Sequence, residues 1–203
     1  EQTILPKIHG KVKATAAELV EAMDGKLSFE DRFLLGQSLE HYRHSVNQVE
    51  EITVVIKQYV LERFEREYNL LIELPGVSAI VACVILSEIG PNVEAFKSQG
   101  NLASWAGVCP GSYESAGIKK SSHTTQGNKY LKSILFQAGG TAGRSKDEAF
   151  HNLYARISGR SSKMKAIIAC AHKMIRVIYK ILSTGEHYDA KKALGLRQQA
   201  RAN

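Results

Sequence analysis

The stretch that decides the fold is Leu70 to Gly90, LLIELPGVSAIVACVILSEIG. An apolar helical pattern closes at Leu70-Leu71-Ile72, and a second runs from Ala79 to Ile89. Between them Leu74-Pro75-Gly76-Val77 breaks the helix, because proline lacks an N–H and glycine permits a tight turn. Two helices joined this closely read as a helix-hairpin-helix. Pro75, Gly76, Val77 and Ser78 would then present backbone amides and a helix dipole to a phosphate, without reading bases. The motif's usual second glycine is Ser78 here, and a plain helix–helix turn fits the same pattern.

Toward the N-terminus, Ser28 has the character of an N-cap, with Glu30 and Asp31 in the first turn. Leu35, Leu39, Tyr42, Val46, Val49, Ile56 and Val60 follow a 3-4 spacing with one gap at Thr53, the pattern of a coiled coil. A helix from Phe29 to Ile72 would be roughly 60 Å long at 1.5 Å per residue. The stripe predicts a homodimer through residues 35–60; a long helix of an intramolecular bundle is the alternative. Residues 1–28 read as a polar lead-in with a short helix from Thr15 to Met23, and 29–69 as the arm. Residues 70–188 read as a compact helical domain, and 189–203 as a frayed polar tail. The fold class expected is all-α, a coiled-coil arm followed by a helical domain containing the helix-hairpin-helix, with no strand.

Toward the C-terminus lies Trp105 to Lys132, WAGVCPGSYESAGIKKSSHTTQGNKYLK. Gly107, Pro110, Gly111, Gly117 and Gly127 prevent a continuous helix, and Trp105 reads as core. Ser112, Ser115, Ser121, Ser122, Thr124 and Thr125 supply hydroxyls, and Lys119, Lys120, Lys129 and Lys132 supply cations. An amphipathic helix from Asn128 to Gly139 follows, its inner face set by Tyr130, Leu131, Ile134, Leu135 and Ala138. A further helix covers Asp147 to Ile157, then the basic turn RISGRSSKMK, then a long buried helix from Lys163 to Ser183 closed by Gly185.

The chain has 203 residues, 44% of them hydrophobic, enough for a real core. Its net charge of +7 is concentrated toward the C-terminus. From Ser115 to Lys180 the only acids are Asp147 and Glu148, while Arg156, Arg160, Lys163 and Lys165 cluster in one turn. Such a distribution suits a nucleic-acid partner. Cys83, Cys109 and Cys170 form no CxxC, which disfavours both a disulfide framework and a zinc site and fits a reducing cytoplasm. His41 and His44 sit three apart on the long helix, where a surface pair explains them better than a metal. No membrane segment is visible, and the lack of an initial Met reads as a fragment.

A serine hydroxyl held in line can attack a phosphodiester, keeping the broken strand as a phosphoserine. The attack needs cations nearby. Ser115 lies between Glu114 and Ala116-Gly117, with Lys119 and Lys120 just behind; Ser112 competes with it. Tyr113 lacks the Arg-His-Arg surround of a tyrosine recombinase. His123 is a candidate proton shuttle or phosphate donor, with a solvated loop histidine as its plain reading.

LPGV, then WAGVCPGSYESAGIKKSS, then GNKYLK and GRSSKMKAIIACAHKMIRVIYKIL together resemble the C-terminal transposase domain of the insertion-sequence one-ten family. The resemblance covers about Leu70 to Tyr188, and the preceding coiled coil has its counterpart there. The family's P-x-x-Y-x-S-G-like motif corresponds to Pro110, Tyr113, Ser115 and Gly117, with Ala116 where glycine is usual. The resemblance implies a prokaryotic DNA recombinase in which Ser115 is the nucleophile. It further implies an N-terminal RNase-H-like domain, absent from this chain, whose acids bind Mg2+. No cofactor is then expected in this chain, which alone would be inactive. DNA is the implied partner, in some members with a structured guide RNA, in a dimer or a tetramer on DNA. A non-catalytic helix-hairpin-helix module binding DNA or RNA is the alternative; it would need Lys119 and Lys120 but not the Ser115 hydroxyl.

Overall fold

The structure is a computed structural model that describes Pro6 and residues 12–25, 27–109, 111, 113–115, 118–121 and 123–199. The chain divides into two compact units, Glu1–Glu51 and Ile52–Asn203. The fold is all-α apart from one short hairpin. Among the described residues no helix is long and apolar enough to cross a membrane.

In the first unit, α1 (Ala16–Met23) begins at a capping box in which Thr15 and Glu18 satisfy each other's backbone amides. The second helix, α2 (Phe29–Ile72), starts as its sequence dictates, with the Ser28 hydroxyl accepting from the Asp31 amide at 3.0 Å. Leu35, Leu39 and Tyr42 stand exposed on it.

The second unit takes α2 from Ile52 onward, so the last turns of the expected arm, to residue 69, belong to the compact domain. Val60, Tyr68, Leu70 and Leu71 are buried there, and the backbone leaves helical geometry at Phe64 (φ −138°, ψ 34°). After the Pro75-Gly76 turn comes α3 (Ala79–Ile89), whose Val81, Ala82, Cys83, Ile85 and Leu86 are buried. Then follow α4 (Gln99–Trp105), β1 (Tyr113–Ser115), β2 (Ile118–Ser121), α5 (Lys129–Arg144), α6 (Glu148–Arg160), α7 (Lys163–Thr184) and α8 (Ala190–Gln199). The central helix is α7, packed on α4, α5 and α6. Cys170, Ala171, Met174, Ile175 and Ile178 are fully enclosed along it, and Leu131, Leu135 and Phe150 complete the centre.

Four expectations are corrected. The stretch expected to hold no strand forms the antiparallel pair β1–β2. Polar strands of three and four residues carry no apolar alternation for a sequence reading to detect. The tail expected to fray instead forms α8, which packs on α6 and buries Ala193. Tyr130, placed on the inner face of its helix, is 59% exposed, because it occupies the first turn of α5. Trp105, read as core, is half-exposed and stacks at a tilt on Phe96, ring centroids 5.4 Å apart.

The hairpin turn is set by packing. Gly76 has a φ of +84°, a left-handed conformation that suits glycine. A Cβ there would run into the Ala138 carbonyl and lie 2.9 Å from the Ala142 amide nitrogen, both on α5. Gly76→Ala should therefore destabilise the domain by about 1–3 kcal/mol. Gly159→Ala, in α6 with nothing within 4 Å of its Cβ, should be neutral or stabilising by up to about 1 kcal/mol. Urea denaturation of the two variants checks the contrast.

Candidate functional site

The candidate serine sits on a structure built up from the end of α4. The Ser98 hydroxyl caps α4, accepting from the Asn101 amide at 3.2 Å. The chain leaves α4 through Gly107, whose φ is +70°. Here two backbones cross: a Cβ on Gly107 would lie 2.9 Å from the Gly127 nitrogen, and one on Gly127 would strike the Gly107 nitrogen. Only glycine at both positions lets the outgoing and returning segments lie this close.

Above that crossing the segments pair. The Thr125 amide donates to the Cys109 carbonyl at 3.2 Å, and the Gly111 amide to the His123 carbonyl at 2.8 Å. The ladder continues through Tyr113 opposite Ser121, a bulge, Glu114 opposite Lys119, and Ser115 opposite Ile118. Ser115 is thus the last paired residue of β1 before the tip. Lys119 and Lys120 lie on β2, the strand returning past it. The competing Ser112, with Pro110, Ala116, Gly117 and Ser122, falls outside the described residues.

The root of the hairpin is tied to three helices. The Asn128 amide donates to the Trp105 carbonyl at 3.0 Å. Its side-chain oxygen caps α5, accepting from the Tyr130 and Leu131 amides, each at 3.0 Å. Its side-chain nitrogen donates to the Glu88 carboxylate on α3. The Lys132 ammonium donates to the Thr125 carbonyl at 2.9 Å and lies 5.9 Å from the Phe136 ring centroid. Among the described residues, the Thr125 hydroxyl is the buried side-chain polar atom without a hydrogen-bond partner.

The other predicted nucleic-acid residues are dispersed. Arg156, Arg160, Lys163 and Lys165 are all exposed around the α6–α7 turn. Lys129 is exposed at the start of α5, its ammonium 4.8 Å from the Tyr130 ring centroid, and His123 is exposed beside the hairpin. The Pro75-Gly76 turn abuts Ala138 and Ala142, about 15 Å along α5 from the hairpin root at Asn128. Val77 is buried and its amide donates to the Leu74 carbonyl at 3.0 Å, while the Ser78 hydroxyl caps α3 through the Val81 amide. Those groups are engaged within the chain. Lys173, half-buried, donates to the Ala149 carbonyl at 2.8 Å, and burial pulls its pKa down.

Burial pushes the Cys109 thiol up, with Arg176 opposing, so it remains a thiol at the hairpin base. Cys170, deeper, is pushed up to about 11. Among the described residues no three His, Cys, Asp or Glu side chains converge to hold a metal ion. Sequence reasoning missed Asn128 and Glu88. An asparagine just ahead of an amphipathic helix is a recognisable cap signal; its partner 40 positions away carries none.

Residues 68–155, a range that holds the turn, the hairpin and most of α5–α6, match the family model "Transposase IS116/IS110/IS902 family". Over these residues the chain is similar to that family's transposases. The chain is 31% identical over 157 residues to y4pF/y4sB of Sinorhizobium fredii, named as a candidate transposase; the match takes 73% of this chain and 39% of the relative. It is 28% identical over 133 residues to an uncharacterized protein of insertion element IS110 from Streptomyces coelicolor (64% of this chain, 32% of the relative). A pilin gene-inverting protein of Moraxella lacunata is 27% identical over 158 residues (75% and 48%). The matched part of this chain thus spans from 32% to 48% of the length of these relatives.

Within this matched region Asn128 joins α3, α4 and α5 in one place. Asn128→Ala removes the α5 cap and the Glu88 donor together, and should cost about 1–3 kcal/mol of domain stability. Urea denaturation measures it.

Proposed function

We propose that this chain is the serine-bearing part of a DNA transposase that cuts and rejoins DNA through a phosphoserine at Ser115. The observation carrying the reading is the placement of Ser115 as the last paired residue of a hairpin within the matched family region. The pilin gene-inverting relative is named for a DNA rearrangement, which supports recombination as the reaction class. In the step proposed, the Ser115 oxygen bonds to phosphorus while the bond from phosphorus to the departing strand's oxygen breaks. The serine gives up its proton and the departing oxygen takes one. Lys119 and Lys120 on β2 would offset charge gathering on the phosphate. Among the described residues no three His, Cys, Asp or Glu side chains converge on one point. Mg2+ and its carboxylates are assigned to an RNase-H-like domain outside this chain.

DNA is the proposed partner, held through its phosphates. Arg156, Arg160, Lys163 and Lys165, all exposed around the α6–α7 turn, support that reading, since phosphate contacts position a protein without specifying sequence. A structured guide RNA would be held by the same chemistry. A second copy of the chain is the proposed protein partner. The second unit carries a groove of about 510 Å³ between α2 and α3, lined by Val55, Ile56, Tyr59, Phe64, Ile80 and Val84 among others. Val55, Ile56, Tyr59 and Ile80 along it are exposed, an apolar surface of the kind that interfaces cover.

Two measurements test the reading. In a transposase carrying this domain, Ser115→Ala should abolish the covalent protein–DNA adduct while changing DNA affinity by less than about threefold, since a lone hydroxyl adds little to a phosphate-dominated interface. An adduct mapped to Ser112 or Tyr113 by mass spectrometry would reject the assignment. Ile56→Glu should shift the chain to monomer in sedimentation; a wild-type chain already monomeric at high micromolar concentration removes the dimer.

A further inference from the structure

We infer that Lys132 is a positioning residue that aims the Ser115 hairpin, and not a phosphate contact; this rests on the proposed serine chemistry. By sequence Lys132 is one more cation beside a hydroxyl-rich loop. In the structure its side chain is half-buried and its ammonium donates to the Thr125 carbonyl at 2.9 Å. That carbonyl belongs to the first rung of the ladder, because the Thr125 amide donates across to the Cys109 carbonyl at 3.2 Å. The returning segment is therefore fixed to α5 at the point where pairing begins.

The lever is long. Cys109 and Ser115, on the first and last rungs of the ladder, are six positions apart, which at the rise of paired strands is about 20 Å. A tilt of a few degrees at the root thus moves the tip by about 1 Å, enough to cost in-line chemistry about a hundredfold. Two other ties meet at the same place and leave this tilt open. The Gly107–Gly127 crossing sets how close the two segments lie, and Asn128 fixes the start of α5 to α3 and α4. Gly107 also packs against the Thr125 carbonyl, where an added Cβ would lie 3.0 Å from the oxygen, but neither tie donates a hydrogen bond to the ladder. Lys132 does, one helical turn inside α5, with its ammonium 5.9 Å from the Phe136 ring centroid. Among the described residues the Thr125 carbonyl is the polar group its ammonium serves. A charged donor to a neutral carbonyl in partly buried surroundings is among the stronger hydrogen bonds. Its removal also leaves a half-buried carbonyl to be solvated.

The test uses Lys132→Met, which keeps the stem and deletes the donor, beside Lys132→Arg and Ser115→Ala, in a transposase carrying this domain. DNA affinity is read against salt concentration, and adduct formation as a single-turnover rate at saturating DNA. The inference expects Lys132→Met to keep the wild-type affinity and salt slope while the adduct rate falls at least about tenfold, and Lys132→Arg to restore much of that rate. A salt slope lowered by about one unit, with weaker binding and an unchanged saturated rate, would make Lys132 a phosphate contact and overturn the inference. An unchanged rate with unchanged binding would overturn it too. Thermal melts of both variants separate misfolding from mispositioning: a Lys132→Met protein unfolded at the assay temperature is replaced by Thr125→Pro, which keeps the accepting carbonyl but removes the amide of the first rung, and whose adduct rate should also fall. An adduct that survives Ser115→Ala sinks the serine reading itself, which is a separate outcome from any result at Lys132.

Discussion

A run of small residues on α5, Ala138-Gly139-Gly140-Thr141-Ala142-Gly143, lets three other elements reach the backbone of one helix. A Cβ on Gly139 would lie 2.7 Å from the Ala171 nitrogen of α7, and one on Gly143 would lie 2.6 Å from the Tyr154 ring of α6. Gly76, in the turn between α2 and α3, touches α5 at Ala138 and Ala142. Each interior glycine costs about 1 kcal/mol in helix propensity. The close approach it permits brings α7 and α6 into dense contact with α5, and dispersion and burial there offset that cost. The hairpin bearing Ser115 springs from the other end of the same helix. Whatever holds α5 therefore also holds the platform on which the hairpin stands.

The platform and the hairpin differ in how they are secured. The centre around Leu131, Leu135, Phe150, Met174 and Ile175 is fully enclosed and entirely apolar. The hairpin root is polar. Asn128, Glu88, Lys132 and the Thr125 carbonyl join it to α3 and α5 by directional bonds. Burial is tolerant of angle; hydrogen bonds are not. In the reaction proposed for Ser115, a segment presenting one hydroxyl to one phosphate gains from the second kind of attachment.

The C-terminal end is held by another polar cluster. The His187 ring lies 2.7 Å from the Glu73 carboxylate, which also accepts from the Tyr188 amide, while the Tyr188 hydroxyl donates to Asp147 at 3.0 Å. Asp147 in turn caps α6 through the Phe150 amide. The hydrogen bond from His187 is the main reason the Glu73 carboxyl is held below its usual range. A carboxylate with a depressed pKa contributes stability above its unfolded value and loses it as pH falls through the folded value, so this tie weakens under acid. It is also well exposed, so its share is small. These bonds explain why a tail of polar composition is ordered as far as α8.

Local chemistry determined much of this protein by itself. The ends of α2 followed from Ser28 and from Pro75-Gly76, and α7 ended at Gly185, whose left-handed φ of +68° terminates the helix. The position of Ser115 in a turn-rich, cation-flanked segment was legible too, because glycine, proline and lysine act where they stand. Tertiary structure alone decided the rest. That Trp105 to Lys132 closes as a paired hairpin depends on two glycines 20 positions apart meeting face to face. That Lys132 points inward while Lys129 stays in solvent depends on where the Thr125 carbonyl comes to rest. Gly76 reads in sequence as a phosphate-binding turn, and only α5 packed against it gives the glycine a second reason. A side chain's type is written locally. Its partner is set by which distant backbone the fold brings within 3 Å, and no spacing along the chain encodes that.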